Sequence, residues 1–459
     1  MIVVIGAGPA GLLLAWRMAD AGHEVVVVER EPHVGGLAAS FDVAGVRVDH
    51  GSHRLHPSIA PELLDTLRGL LGDDLQERVR HGRLRLGGRW IGFPLRPGDL
   101  VRRLPPRFAL GAAVDTVVAP WRRPRADTFA EVVRAGLGPT VGRTFYEPYA
   151  RKLWDTDPAE LSGELARRRV SAASPSDIAR RLVRARRPQG QTFLYPRTGF
   201  GMISERLAQA AVDAGADLRL GVGVSGLDLG DDSVIGVELA DGSEIASPRV
   251  FSTMPLPVLA GLVSPAAPDD VIGAARRLRH RALVLLYVVL GCRRWTEYDA
   301  HYFAGPEVPA SRVSEPKNYR ANPDDPADRT VLCAEVPCWV GDATWEAAPS
   351  ALAAILTDSL AAIGLPLPEP IAVEVRRVPR VYPVYRPGFE WDLSAVEAWL
   401  GTDRRVVTLG RQGLFVPDNT HHALAMGWAA GEAVGADGSF DEAAWAAARD
   451  GFRAHVVED

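Results

Sequence analysis

The chain has few of the residues that staple, anchor or metallate a protein. Its 459 residues include three cysteines, Cys292, Cys333 and Cys338. Three thiols placed in this way make neither a disulfide framework nor a zinc spacing. Their scarcity fits a reducing compartment, and a cytoplasmic location is expected. No apolar run reaches the ~18 residues of a membrane span. The nearest approach, Phe108 to Pro120, is shorter and contains Asp115. No integral membrane segment is expected, and peripheral contact with a membrane stays open. An apolar strand beginning at residue 2 is expected to leave no room for a signal peptide. There is no repeat, no low-complexity segment and no Gly-x-Ser-x-Gly elbow. No metal is expected, so difficult chemistry falls to an organic cofactor. Lysine is almost missing: Lys152 and Lys317 are the only two among 52 Lys and Arg residues. A compact ammonium with three donors differs from a planar fork, so these two mark places where arginine would not serve.

What remains is long enough for two or three domains. Net charge is −5 but unevenly spread. Nine arginines and one acid lie in residues 78–107, and eight arginines and one acid in residues 165–187. Clustered guanidinium groups in an acidic chain suggest a local anion site, which makes a polar or anionic small molecule the expected partner. Nucleic acid is excluded as a partner by the lack of overall basicity and of interleaved aromatics. The segment Arg180 to Arg187 reads as a solvated helix face. Nothing in the sequence sets an oligomeric state.

The most informative stretch is the first 36 residues. Ile2 to Ile5 is a short apolar strand, Gly6-Ala7-Gly8-Pro9-Ala10-Gly11 follows at once, and Leu12 to Ala21 is amphipathic. A second strand, Glu24 to Val28, closes on Glu29, 23 positions after Gly6. Each part suits a dinucleotide. Gly6 permits the tight turn, Gly8 lets the backbone approach a pyrophosphate, and Gly11 lets helix and strand pack closely. The helix N-terminus offers free N–H groups to the phosphates. Glu29 can accept from ribose hydroxyls. The second glycine pair, Gly35-Gly36, resembles the FAD signature of two-dinucleotide-binding-domain flavoproteins, with NAD as the alternative.

The expected fold class is α/β: an FAD-binding Rossmann-like domain with an inserted helical and antiparallel-sheet substrate domain. Residues 1–60, 196–275 and 400–459 are expected to form the discontinuous FAD domain. Residues 61–195 should be a mainly helical cap, and 276–399 an antiparallel sheet over the flavin. Met202 to Ala214 reads as a helix, and 217–220 and 223–229 as strands. Ser233 to Ala246 reads as a hairpin, and Val250 to Thr253 as a returning strand ending at Met254. Val406 to Leu409 reads as a buried strand leading to Gly410-Arg411, and Asn419 as the N-cap of a small-residue helix. A helix N-terminus aimed at a flavin's pyrimidine edge stabilises negative charge there. The expected cofactor contacts are Gly6, Ala7, Gly8, Pro9, Ala10, Gly11, Glu29, Arg30, Gly35, Gly36, Leu37, Gly51, Ser52, His53, Val224, Thr253, Met254, Gly410, Arg411, Asn419 and Thr420.

Across nearly its whole length the chain resembles the UDP-galactopyranose mutase-like branch of the amine oxidase/protoporphyrinogen oxidase flavoproteins. Gly51-Ser52-His53-Arg54-Leu55-His56 resembles the mutases' Gly-x-His-x-x-His loop against the flavin. Tyr149-Ala150-Arg151-Lys152-Leu153-Trp154 resembles their nucleotide-binding Tyr-Thr-x-Lys-x-Trp. Tyr195 to Gly201, Leu278 to Arg281, Arg312 to Tyr319, Tyr382 to Tyr385 and Gly410 to His421 resemble further elements around the substrate. The resemblance implies His53 and Arg281 as catalytic residues. It implies Tyr149, Lys152, Trp154, Arg169, Tyr195, Arg281, Lys317, Tyr385 and Phe415 as substrate contacts. Two departures matter. Leu414-Phe415-Val416-Pro417 stands where mutases carry tyrosines before the closing acid, and His280 replaces the usual tyrosine before Arg281.

Three functions are compatible with these residues. The first is an FAD-dependent oxidoreductase acting on a sugar-like or natural-product substrate, by hydride transfer to flavin N5. The second is a redox-neutral UDP-sugar mutase using reduced FAD as nucleophile. The third is a non-catalytic FAD binder. The missing tyrosines favour the first, while the arginine clusters and the Tyr-x-x-Lys-x-Trp run favour the second.

Overall fold

The first strand, Ile2–Ile5, sits at the centre of a five-stranded parallel sheet. Val25–Glu29 and then Asp217–Leu220 lie on one side of it, Val250–Ser252 and then Val406–Thr408 on the other. The computed structural model describes residues 1–94, 103–170, 192–229, 235–401 and 405–457. Arg180 to Arg187 therefore lie outside the described residues. Every residue of the central strand is buried, as expected for a parallel strand covered on both faces. The helix Pro9–Asp20 packs on this sheet between the helices Met202–Asp213 and Thr420–Glu432. Small residues make that approach possible. A Cβ at Gly427 would meet the Ala10 carbonyl oxygen at 2.4 Å, and one at Gly11 would meet the Gly6 carbonyl oxygen at 2.1 Å.

The hairpin expected after residue 223 is seen as Val224–Asp228, Ile235–Leu239 and Glu244–Ser247, joined by the short strand Val263–Ser264. The substrate-side sheet has seven strands, in which His280–Leu290 pairs antiparallel with Pro370–Pro383 on one side and Thr330–Cys338 on the other. One face packs on the helix Pro349–Ala362. The other face presents Leu283, Leu285, Tyr287, Val331 and Cys333 to the hairpin Ser40–Val43/Val46–Asp49.

The stretch 61–195 differs from the mainly helical expectation. It contains the strands Leu75–Val79, Gly82–Leu86, Arg89–Phe93 and Thr192–Pro196. Gly82–Leu86 and Arg89–Phe93 form a hairpin that extends the seven-stranded sheet beside Ala300–Phe303. Arg83-Leu84-Arg85-Leu86 alternates with period two and turns at Gly87-Gly88, with Leu84 and Leu86 buried. Arg83 and Arg85 lie half-buried on the opposite face, beside Trp90.

Both lysines are staples. Lys152 Nζ donates to the carbonyls of Phe303 (2.8 Å), Val308 (2.8 Å) and Ala310 (3.2 Å). Lys317 Nζ donates to the carbonyls of Arg293, Pro326 and Arg329. Three carbonyls converging on one point suit a tetrahedral ammonium and not a flat guanidinium.

The close approach at Gly11 generates a prediction. Gly11→Ala forces backbone against backbone and should destabilise the protein by about 1–3 kcal/mol or more. A drop in the midpoint of thermal unfolding checks it; an unchanged midpoint would show that strand and helix can part without cost.

Candidate functional site

The loops after three neighbouring parallel strands meet at their carboxyl ends, where open α/β sheets bind ligands. Gly6 (φ +101°), Ala10, Thr253 and Gly410 (φ +77°) touch one another there. Thr253 Oγ1 donates to the Ile5 carbonyl at 3.0 Å, and a Cβ at Gly6 would lie 2.1 Å from that oxygen. Gly8 behaves differently: a Cβ there would meet nothing within 4 Å. The helix Pro9–Asp20 has no side-chain cap and no acid in its first turn. Open space beside uncapped N–H groups is what a pyrophosphate needs. Glu29 stands at the end of its strand, accepting from Ala7 N (2.9 Å) and Glu31 N (3.0 Å). Gly35 N donates to the Ala7 carbonyl at 2.8 Å and draws the turn Gly36–Ala38, with Leu37, against the first loop. Arg30 is exposed beside Glu31, and Gly223, next to Val224, packs on the Arg30 side chain. These residues fit an adenine dinucleotide. Asn419 is the N-cap of the helix Thr420–Glu432, and His422 Nδ1 accepts from its backbone N–H at 3.3 Å. Arg411, expected on the cofactor, donates to the carbonyls of Val381 (2.7 Å), Pro417 (3.3 Å) and Asp418 (2.7 Å), clamping this helix to the sheet.

The loop 49–54 is fixed from three sides. Asp49, buried, accepts from Tyr195 OH (2.5 Å), Ser40 Oγ (2.6 Å) and Phe200 N (2.9 Å). Glu335, also buried, accepts from Ser52 N at 2.7 Å and from both ends of the Arg312 guanidinium at 2.8–3.0 Å. Arg54 donates to Tyr302 OH (2.7 Å) and Asp299 (3.0 Å), while Ser52 Oγ bonds Tyr319 OH. His53 stacks on Phe200 at 5.2 Å, and its Nε2 lies 3.0 Å from the His50 carbonyl. A carbonyl only accepts, so Nε2 carries the proton and Nδ1 keeps its lone pair. Glu335 and Arg312 were missed as site residues. The signal was a lone acid inside the apolar strand Thr330–Cys338, which has to find a buried partner.

The residues expected on the substrate divide into two groups. Trp154 and Arg169 come together with Tyr382, which the sequence reading passed over in favour of Tyr385. The Arg169 guanidinium lies 5.6 Å from the Trp154 ring and 5.7 Å from the Tyr382 ring, and Arg411 lies 5.9 Å from Tyr382. No hydrogen bond or ion pair of Arg169 is found among the described residues. Trp154 itself is buried, with Nε1 on the Pro383 carbonyl at 3.1 Å.

The others are structural. Arg281 is corrected from catalytic to supporting: it is 4% exposed, donates to the Leu153 carbonyl at 3.1 Å and packs on Trp339. A cation there satisfies the last turn of the helix Glu147–Trp154. Tyr195 is wholly buried on Asp49. Tyr385 donates to the Phe415 carbonyl at 2.7 Å and stacks on Phe389, and Phe415 is wholly buried against Tyr385 and His280. Tyr149 stacks on Phe145 at 5.7 Å. Lys152 and Lys317 are held by carbonyls as described. No metal was expected; Asp418, His422 and His455 nevertheless gather with donor atoms within 4.8 Å of one another. They already bond among themselves, His455 Nδ1 to Asp418 Oδ2 at 2.6 Å, and Arg168 lies 3.8 Å from the same carboxylate. That positive charge opposes a cation.

The profile of the flavin containing amine oxidoreductase family matches residues 9–392. The chain belongs to that family. It is an FAD-dependent member of the amine oxidase superfamily. It is 28% identical over 299 residues to a phytoene dehydrogenase of Streptomyces griseus, covering 56% of this chain and 54% of that protein. It is 29% identical over 196 residues to the putative flavin-containing monoamine oxidase AofH of Mycobacterium tuberculosis, covering 38% and 41%. The matched stretches thus span about half or less of these relatives. Reduced UDP-galactopyranose mutase shares the fold at a TM-score of 0.79, with 22% identity over 94% of this chain and 93% of that one. A putative protoporphyrinogen oxidase from Exiguobacterium shares it at 0.71, with 19% identity over 94% and 98%. No helix among the described residues is long and apolar enough to cross a membrane.

Buried histidines set a pH dependence. Burial, with Arg380 and Arg411 nearby, pushes His280 down to about 3. Burial and Arg83 push His301 down to about 3. Burial also lowers His53, against the pull of Asp49. Below the ordinary value of 6.5 the unfolded chain takes up protons that the folded chain refuses. Stability should therefore be full above about pH 6.5 and fall toward pH 3, at up to about 1.4 kcal/mol per pH unit for each histidine. Denaturant midpoints between pH 7.5 and 4.5 measure this, and His280→Gln should flatten the slope by one histidine's share. A parallel slope in that variant would remove His280 as a cause.

Proposed function

We propose that the protein is an FAD-dependent oxidoreductase that removes a hydride from a polar, anionic small molecule carrying an oxidisable alcohol or amine carbon. When bound, FAD would supply the two-electron acceptor for that hydride, to be reoxidised by oxygen or another acceptor. The chain's own residues bind, orient and handle the proton. Arg169, backed by the buried Trp154 ring, holds the anionic group of the substrate beside Tyr382. His53, with Nδ1 unprotonated, accepts the proton released as the hydride leaves. Arg281 is a positioning residue that fixes the helix end carrying Trp154.

The observation that carries this reading is the Arg169 guanidinium 5.7 Å from the Tyr382 ring, without a hydrogen bond or ion pair among the described residues, and a second guanidinium, Arg411, 5.9 Å from the same ring. The nearby carboxylate, Glu335, is neutralised by Arg312. Such a site repels a cationic amine, so the substrate suggested by the name of the M. tuberculosis relative is not the one we assign. The mutase alternative is disfavoured by two further features. Lys152 places all three donors on carbonyls, and Phe415 is buried where a diphosphate-binding tyrosine would stand.

An anaerobic flavin titration tests the proposal. From a panel of carboxylated or phosphorylated alcohols and amino acids, at least one should bleach the oxidised holoenzyme, with recovery in air. Arg169→Met should raise the KM of that compound about 10- to 100-fold, as expected for a lost charged hydrogen bond. Bleaching by uncharged amines alone, or a spectral response of the pre-reduced protein to UDP, would overturn it.

A further inference from the structure

We propose that the helix Pro106–Val118 and the turn after it, Ala119–Trp121, form an in-plane docking surface for an anionic lipid bilayer. This rests on the helix alone and is independent of the substrate assignment.

The helix is built inside out. Asp115 is its buried residue: the carboxylate accepts from Arg122 at 2.6 Å and from Thr140 N at 2.8 Å. The large apolar residues point the other way. Leu110 is 69% exposed, Val114 53%, Val117 68%, Val118 40% and Trp121 77%. At ~100° per residue, these five fall within about 100° of arc, a single stripe. A helix packed on its own protein turns such a stripe inward, and scattered exposed apolar residues would not align. Here the inward side is held by a salt bridge, and nothing among the described residues covers the apolar stripe.

Charge identifies that partner. Arg107, Arg123 and Arg125 are exposed around the stripe, and Asp115 is the only acid between residues 103 and 126. A second copy of the chain in a two-fold dimer would set these arginines against themselves. An anionic lipid surface complements them, while the stripe enters the boundary between headgroups and acyl chains. Trp121 at the end of the stripe suits that boundary, where indoles concentrate. The contact lies in the plane of the bilayer, consistent with the lack of a crossing helix among the described residues.

Co-sedimentation of the holoenzyme with vesicles tests this. Wild type should pellet with phosphatidylglycerol/phosphatidylcholine vesicles and remain in solution with phosphatidylcholine alone. Val117→Asp should lower binding by at least about tenfold by placing a charge in the stripe. Arg107→Gln/Arg123→Gln/Arg125→Gln should lower it on the order of a hundredfold, each surface arginine being worth roughly fivefold. Both variants should keep the flavin spectrum and thermal midpoint, because every altered side chain is exposed. The proposal falls if wild type ignores anionic vesicles, or if Val117→Asp binds them as wild type does. It also falls if light scattering shows a dimer that Val117→Asp splits without any vesicle binding, for then the stripe joins two copies.

Discussion

A buried carboxylate joins the two halves of this protein. Glu335 rises from the middle of the substrate-side sheet and accepts from Ser52 N, on the loop that leaves the nucleotide domain. Arg312, opposite it on the neighbouring strand, neutralises it and donates as well to the Ser52 carbonyl at 3.2 Å. Removing one member of such a pair typically costs about 3–5 kcal/mol, because the other is left charged and dry. The arrangement fixes how far the sheet stands from the loop Gly51–Arg54. The pair works with Arg54 on Asp299 and Tyr302, and with the apolar packing of the hairpin 40–49, in holding the two parts in register.

The arginines show how similar side chains separate by role once packed. Arg312 balances a carboxylate, Arg281 caps a helix, and Arg411 clamps three carbonyls. Arg83 lies over Trp90 at 4.0 Å. Arg169 alone of these has neither a hydrogen bond nor an ion pair among the described residues. Guanidinium groups tolerate stacking as readily as salt bridging, so a count of arginines along the chain says little about which one faces a ligand.

The nucleotide-binding end was legible because its constraints are local. Gly6, Gly8, Gly11 and Glu29 each answer to backbone geometry within one strand–helix–strand unit. The antiparallel strands His280–Leu290 and Thr330–Cys338 within 276–399 and the helix Thr420–Glu432 after Asn419 were also readable, as long apolar or small-residue segments. The hairpin Gly82–Phe93 was not, since its alternating arginines were read for charge and not for period. The candidate site was less legible still. Tyr385 and Tyr382 are three residues apart in one motif, and the strand Pro370–Pro383 ends between them, leaving Tyr382 opposite Arg281 and beside Arg169 while Tyr385 turns into the core. Lys152 and Lys317 were singled out for the right physical reason, the ammonium's three converging donors, but assigned to ligands when the acceptors were the protein's own carbonyls.

The seating of Gly427 on Ala10 has a consequence for biosynthesis. The helix nearest the start of the chain is completed by one that begins some four hundred residues later, and the central strand Ile2–Ile5 acquires its neighbour Val250–Ser252 only after half the chain exists. Contacts of such high sequence separation form late. The glycine-rich loop is thus translated well before Val250–Ser252 and Thr420–Glu432, the elements that complete its surroundings. Until those elements follow, the apolar strand Ile2–Ile5 has only Val25–Glu29 beside it, the kind of incompletely covered strand that is prone to aggregate.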